Sequence, residues 1–292
     1  MDKDTDRHNG TVSELILAAV PLGNIGDASD RLKSAITQVD VVAAEDSRRF
    51  LRQCKELEIE CRATILSFFE GNESSRLDEI SDALASGKRV LLVTDAGMPS
   101  VSDPGYRAVR MAIDKSFKVS VIPGPSAVTM AVALSGLPTD RFTFEGFPSR
   151  SAGARLATFE KLRHEERTMV FFEAPHRLAD SLSDAQSVFG SERKGAICRE
   201  MTKHYEETIR GTLSELSTWA DTNEVLGEIT LVIQGAVLDS AAMTADEMVA
   251  RVREFEAAGM DRKGAIASVA AEFSIAKRLV YAAVVDANKM SK

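Results

Sequence analysis

A chain of 292 residues, 44% hydrophobic and 27% charged, is long enough for two domains and a smaller module around a sizeable core. Its net charge of −8 excludes a protein that coats nucleic acid non-specifically, although a local cluster of Lys and Arg can still form a basic face. No apolar run approaches the roughly 20 residues of a membrane span, and residues 1–10 are polar and charged rather than a signal peptide, so the expected location is cytoplasmic with no membrane partner.

After a tail at residues 1–12, expected to be disordered, short apolar runs alternate with amphipathic stretches in the βα pattern of a parallel sheet. Strands are expected at 15–20, 39–44, 64–68, 90–94 and 118–122, and helices at 47–57, 74–85 and 106–115. Shaped loops follow three of these strands. Pro21-Leu22-Gly23-Asn24-Ile25-Gly26-Asp27 follows the first, Asp95-Ala96-Gly97-Met98-Pro99 with Ser102-Asp103-Pro104-Gly105 the fourth, and Pro123-Gly124-Pro125-Ser126 the fifth, leading into small, helix-compatible residues 127–135. Ligands of open α/β sheets sit at the carboxyl ends of strands, so these loops point to one pocket. Any one of them alone reads better as a plain turn; three at successive strand ends do not.

The turn cluster Gly136-Leu137-Pro138-Thr139-Asp140 marks a boundary and closes a first α/β domain at 13–137. Beyond it, expected strands at 142–145, 169–172, 196–198 and 228–233, helices at 153–162 and 176–188, and an added antiparallel strand at 206–212 describe a mixed α/β domain at 138–240. Ala-rich helical periods at 245–258, 262–273 and 275–287 form a small helix-turn-helix-like module at 241–292. The fold class is therefore α/β, with two such domains, a cleft between them and a C-terminal helical module.

The common nucleotide motifs are missing. No GxGxxG follows the first strand, Gly87-Lys88 lacks the upstream glycine of a P-loop, and no GxSxG elbow is present. Cys54, Cys61 and Cys198 form neither a CxxC pair nor a disulfide framework, and His8, His164, His176 and His204 lack ligand spacing, so no metal is expected. What remains is a pocket of backbone groups, small residues and carboxylates. It suits a zwitterionic ligand with an adenine and a ribose, whose hydroxyl and amino groups donate to carboxylates. Two basic clusters also stand out: Arg48, Arg49, Arg52 and Lys55, and, in the last segment, Arg262, Lys263, Lys277 and Arg278. Each reads as a partner surface or as a solvated helix face.

Through these loops the chain resembles the tetrapyrrole methylase superfamily, and within it the group that methylates small-subunit ribosomal RNA. The first half carries the resemblance in its three loops and in Ala44-Glu45-Asp46-Ser47-Arg48. In the second half, Phe144-Glu145-Gly146-Phe147, Glu173-Ala174-Pro175-His176-Arg177 and Arg199-Glu200-Met201-Thr202-Lys203 are similar to the RNA-modifying group rather than to the corrin-modifying ones. Departures are mild. The family commonly has Thr at Ser47 and Met98, Ser at Ala174, and a His-Asn-Glu string where Phe69-Glu70-Gly71-Asn72-Glu73 stands, which weakens any catalytic role carried over to that loop.

The resemblance implies S-adenosyl-L-methionine bound between two domains, usually in a homodimer, and 2′-O-methylation of a decoding-centre cytidine in 16S ribosomal RNA of the small subunit. By position, Leu22, Asp95, Met98, Ser126, Ala127, Phe172, Met201 and Thr230 are the implied cofactor set. Methyl transfer from a sulfonium needs alignment and removal of a proton from the 2′-hydroxyl, for which Asp46, Glu173 and His176 are the candidate bases and Lys203 a candidate electrostatic stabiliser. Each has a structural alternative, since Pro175 to Arg177 opens a helix and Glu173 can cap it. Arg48, Arg49, Arg177 and Lys203 are expected at the RNA entrance, with Arg262, Lys263, Lys277 and Arg278 as an accessory contact. Two other readings remain: a methylase of a tetrapyrrole with the same fold and cofactor, and a non-catalytic ribosome-binding protein.

Overall fold

Five short apolar runs pair into one parallel sheet in the computed structural model, which describes residues 13–236, 244–273 and 276–290. The expected tail at 1–12 and the expected boundary after residue 240 lie outside the described residues. The strands are β1 (Glu14–Ala18), β2 (Val41–Ala44), β3 (Thr64–Ser67), β4 (Arg89–Val93) and β5 (Lys118–Ile122), in the order β3-β2-β4-β1-β5. All four residues of β2 and Val90 to Val93 of β4 are buried, as strands covered on both faces must be. Helices α1 (Asp30–Gln38) and α2 (Ser47–Glu56) pack on the face of Ile16, Val42 and Leu91. Helices α3 (Glu73–Ala85) and α4 (Tyr106–Asp114) cover the opposite face, with Leu15, Val41, Val90 and Leu92. Neighbouring residues point to opposite faces, the period of two that a pleated strand imposes.

The sequence pattern places no helix at α1. Its nine residues bury only Leu32, Ala35 and Ile36, a stripe too narrow to stand out. Its start is fixed by Ser29 Oγ, which accepts from the Leu32 N–H at 3.1 Å, an N-cap worth about 1 kcal/mol.

The second sheet joins β6 (Phe142–Phe144), β7 (Thr168–Glu173), β8 (Lys194–Arg199), β9 (Glu207–Thr212) and β10 (Ile229–Ile233) in the order β6-β7-β10-β8-β9. β6 runs parallel to β7, and the other pairs are antiparallel. Helices α6 (Ala152–Leu162), α7 (Leu178–Phe189) and α8 (Leu213–Thr222) cover one face, where Phe159, Leu182 and Leu216 meet Met169, Phe171, Ile197 and Leu231. α8 also goes unforeseen from apolar spacing, yet its start is written in Thr212 and Glu215, which form a reciprocal capping box.

The opposite face is covered by α5 (Ala127–Ser135), the helix that leaves the first sheet after β5. Its Val128, Ala131 and Val132 pack on Val170, Ala196, Cys198 and Val232 of the second sheet. The turn at 136–140 thus follows a helix already committed to the second core, and both sheets fall within one unit, residues up to Arg163 and 167–234.

Residues 164–166 and those from Gly235 onward form a second unit. Its described helices are α9 (Ala245–Ala257), α10 (Arg262–Glu272) and α11 (Lys277–Met290), packed around Met248, Val252, Ile266, Val269, Val280 and Val284. Thr244 and Glu247 box the start of α9, and Asp261 Oδ1 accepts from Gly264 N–H at 3.1 Å to start α10. No helix among the described residues is long and apolar enough to cross a membrane.

Candidate functional site

The order of the first sheet sets β1 between β4 and β5, so the loops that leave their carboxyl ends meet. Val20 and Gly97 exchange both backbone hydrogen bonds, at 2.9 and 3.1 Å, locking the loop after β1 to the loop after β4. Gly97 is in the left-handed region, φ +75°, where its missing side chain makes room for Leu22. The loop then turns through Ser100 and Ser102, at φ +70° and +62°, a conformation that costs a non-glycine residue of order 1 kcal/mol or more. It closes where Ser100 N–H donates to Pro104 O at 3.2 Å. Its far end is held by Glu73, whose Oε1 accepts from the N–H groups of Gly105 and Arg107 at 3.1 and 3.2 Å. A carboxylate at the first turn of α4 is the charge that a helix N-terminus favours.

These loops and the adjoining end of the second sheet enclose a cavity of about 370 Å³, within the size range of small-molecule sites. Its apolar wall is made by Leu22, Ala127, Phe147, Phe172 and Met201. Phe172 is fixed edge-on by Phe144 and Phe147, with ring centroids 4.8 and 5.5 Å away. Thr230 and Ile229, at the start of β10, line the floor. Five carboxylates also line the cavity, Glu45, Asp95 and Asp103 from the first sheet's loops and Glu173 and Glu228 from the second sheet, together with the partly exposed Arg49.

The carboxylates are wired differently. Asp95 Oδ1 accepts from the Asp46 N–H at 3.1 Å, and its Oδ2 lies 3.5 Å from the Arg49 guanidinium. Glu45 Oε2 accepts from the Asp95 N–H at 3.1 Å, but burial and the neighbouring Asp95 charge hold its carboxyl above the usual range. Asp103 has no hydrogen bond or ion pair among the described residues. Burial, reinforced by the charges of Glu45 and Asp95, pushes it up to about 7.

Six of the eight expected cofactor residues, Leu22, Asp95, Ala127, Phe172, Met201 and Thr230, meet in this cavity. Met98 and Ser126 lie outside its lining, and Ser126 is the N-cap residue of α5. The expected bases are mostly committed elsewhere. Asp46 is exposed and caps α2, accepting from the N–H groups of Arg49 and Arg48, which hold its carboxyl below the usual range. Glu173 reaches the cavity wall, but its side chain is wholly buried. Its Oε1 accepts from Ala174 N–H at 2.8 Å and sits 3.3 Å from Arg177 Nε, and its Oε2 accepts from Ser181. His176 is exposed and lies outside the cavity's lining, in an adjoining depression with Arg177, Pro148 and Arg150 that shares Phe147 and Ala174 with it.

The expected cations divide as well. Arg49 reaches the rim, and Arg48 is exposed beside it. Arg177 turns inward to Glu173 and the Pro148 carbonyl, with 15% of its side chain exposed. Lys203 straps the first loop: its stem lies so close over Gly23 that a Cβ there would sit 2.3 Å from Lys203 Cγ. Burial opposes the Lys203 charge, and contacts with Glu200 Oε1 at 2.8 Å and Glu228 Oε2 at 3.2 Å outweigh that, so its ammonium is held above the ordinary value. Arg262, Lys263, Lys277 and Arg278 converge in the helical unit around Ile266 and Tyr281.

Glu45 and Asp103 were not among the expected site residues, although both stand in the quoted motifs. The signal for Glu45 is a charge placed immediately after four buried strand residues, where its N–H still bonds Val93 O at 3.3 Å and keeps it in the ladder. Asp103 stands in a loop after β4 where two carboxylates and two glycines crowd one strand end, but its place in the cavity depends on the left-handed turns before it.

The family model described as Tetrapyrrole (Corrin/Porphyrin) Methylases matches residues 14–217. The chain belongs to this family. Among curated relatives, proteins named ribosomal RNA small subunit methyltransferase I from Mycobacterium bovis and Mycobacterium tuberculosis are 46% identical over 276 residues, covering 94% of this chain and 95% of theirs. The protein of that name from Thermotoga maritima is 41% identical, and 77% of this chain covers 99% of it. Solved structures of tetrapyrrole methylases share the fold: a cobalt precorrin-4 methyltransferase has a TM-score of 0.55 at 18% identity, covering 79% of this chain and 98% of that one. Uroporphyrin-III-C-methyltransferase from Thermus thermophilus has a TM-score of 0.54 at 14% identity, covering 76% and 94%.

Proposed function

We propose that this tetrapyrrole methylase transfers a methyl group from S-adenosyl-L-methionine to the ribose 2′-oxygen of a decoding-centre cytidine in 16S ribosomal RNA, acting on the small subunit as a cytoplasmic homodimer. The observation that carries the reading is a cavity lined both by apolar side chains, Phe147 and Phe172 among them, and by the carboxylates Glu45, Asp95 and Asp103, in a chain 46% identical to proteins named for ribosomal RNA methylation. The donor set fits the cofactor. Phe172, Leu22 and Met201 offer apolar surface to an adenine, Asp95 offers an acceptor for ribose or amino hydrogens, and the carboxylate cluster compensates positive charge in a half-buried site.

When bound, S-adenosyl-L-methionine supplies an activated methyl group on a sulfonium. The chain's own residues orient and exclude water: the Val20–Gly97 lock fixes the two loops, and the Lys203 strap with the Asn24 N–H bond to Thr202 Oγ1 at 3.2 Å ties the first loop to the second sheet's loop. Arg48 and Arg49 stand where an RNA phosphate would approach the rim. A splayed ribose can enter such a site where a paired one cannot, which supports a shaped ribosomal surface rather than a short duplex as substrate.

The test is transfer of labelled methyl from S-adenosyl-L-methionine to purified small ribosomal subunits lacking the modification, with mass spectrometry of the digested RNA. Stoichiometric label on one cytidine ribose is expected. No label on subunits at excess enzyme refutes the ribosomal reading, and label on a base instead of a ribose refutes the 2′-oxygen. Light scattering of the purified protein tests the dimer.

A further inference from the structure

The expected bases leave the proton of the acceptor hydroxyl without a destination. Asp46 spends its carboxylate on two backbone N–H groups, Glu173 is enclosed by Ser181, Ala174 and Arg177, and His176 faces another depression. In the cavity itself Asp95 is taken by the Asp46 N–H and Arg49, Glu45 by the Asp95 N–H, and Glu228 by Lys203. Among the described residues, Asp103 is the cavity carboxylate that has neither a hydrogen bond nor an ion pair. Resting on the methyl-transfer reading above, we propose that Asp103 is the catalytic base that receives the acceptor hydroxyl's proton.

The loop is built to present this group. Ser100 and Ser102 hold left-handed backbone on its amino side, Pro104 follows it, Ser100 N–H closes the turn on Pro104 O, and buried Glu73 anchors Gly105. Strain of this kind persists only where surrounding contacts over-determine it. Gly105, at φ +138°, admits no side chain, since a Cβ would fall 2.6 Å from Ser100 Oγ and 2.9 Å from Leu92 Cδ2. Asp103 is thus held on a rigid turn inside a small-molecule cavity with its oxygens free.

The electrostatics suit the step. The titratable and charged groups that line the cavity with Asp103 are Glu45, Asp95, Glu173, Glu228 and Arg49, and of these the charges of Glu45 and Asp95 raise its carboxyl. With its carboxyl near neutrality in the ligand-free protein, Asp103 is matched to a general base working at physiological pH. A cationic donor beside Asp103 favours its ionised form, so cofactor binding arms the base. In the step, the acceptor oxygen gives its proton to the Asp103 carboxylate and forms the new O–C bond. The donor's C–S bond breaks with its electron pair remaining on sulfur. One positive and one negative charge disappear together, which a half-buried site screened less than bulk water favours.

The experiment compares wild type, Asp103→Asn, Asp103→Glu and Glu45→Gln in single-turnover methylation of small subunits across pH, with calorimetric S-adenosyl-L-methionine binding as the check that each variant is folded. Asp103→Asn is expected to bind the cofactor and lose about 10²–10⁴-fold in rate, together with the ascending limb of the pH profile, and Asp103→Glu to recover part of both. Glu45→Gln removes a neighbouring negative charge, so the limb should move to lower pH. An Asp103→Asn rate within tenfold of wild type, or a limb that survives it or ignores Glu45→Gln, overturns the proposal. Wild type failing to label subunits would instead overturn the functional reading on which it rests.

Discussion

Asp103 carries a cost in the ligand-free protein that can be measured without any substrate. In the unfolded chain its carboxyl ionises near 3.8, whereas in the fold it keeps its proton to about 7. Between these values the folded state binds the extra proton, so stability falls as pH rises through that window, and the penalty is complete above about 7. At about 1.4 kcal/mol per pH unit the displacement is worth roughly 4 kcal/mol. The group opens to solvent on its cavity side, which screens the effective cost to about 1–2 kcal/mol. Asp103→Asn has no charge to bury. In thermal unfolding without ligand it should therefore exceed wild type at pH 8 by about 2–8 °C and by clearly less at pH 5. A difference that is the same at both pH values, or a variant less stable than wild type at pH 8, would refute the account of the carboxylate cluster.

Asp95→Ala removes the acceptor at the centre of the cluster and should weaken S-adenosyl-L-methionine binding by about 1.5–3 kcal/mol; unchanged calorimetric affinity would exclude Asp95 as a contact. Arg177→Ala leaves the buried Glu173 without its ion partner and should cost about 3 kcal/mol in urea unfolding, with no change in the salt dependence of subunit binding. The opposite result, native stability with a shallower salt slope, would return Arg177 to the RNA surface. Replacing Lys263, Lys277 and Arg278 in the helical unit with Ala should flatten the salt dependence of subunit binding by roughly 0.7 to 0.9 for each phosphate no longer neutralised while leaving cofactor affinity alone. An unchanged slope would make these cations a solvated face.

The parallel sheet was legible because buried strands must be apolar on both faces, and runs such as Val90 to Val93 can be little else. The same rule located the loops, since ligand-shaping glycines can follow such strands only at their ends. It could not divide the molecule. Residues 127–135 follow β5 in sequence, but whether Val128, Ala131 and Val132 pack on the first sheet or the second is decided by the direction in which the loop leaves Ile122, and they pack on the second. Short helices such as α1 were lost for another reason: three buried residues make a weak period, and only the Ser29 cap, a single local contact, announces the start.

Site residues divide along the same line between local pattern and three-dimensional closure. Leu22, Asp95, Ala127, Phe172, Met201 and Thr230 follow from strand ends and resemblance, and they meet in one cavity. The polar groups were harder, because a carboxylate's role depends on which donors reach it. Asp46 looks like a base in sequence, yet two N–H groups of its own helix claim it, as they claim most Asp residues standing before a helix. Glu173 stands one residue before Ala174, whose N–H turns back on it, and four before the guanidinium that neutralises it. Asp103 is the reverse case. Nothing in Ser102-Asp103-Pro104-Gly105 says that its donors are missing, because that depends on how the loop closes through left-handed Ser100 and Ser102 and brings Asp103 under the charges of Glu45 and Asp95. A base is a carboxylate that the fold has declined to satisfy, and that condition is a property of the closed structure rather than of any segment of the chain.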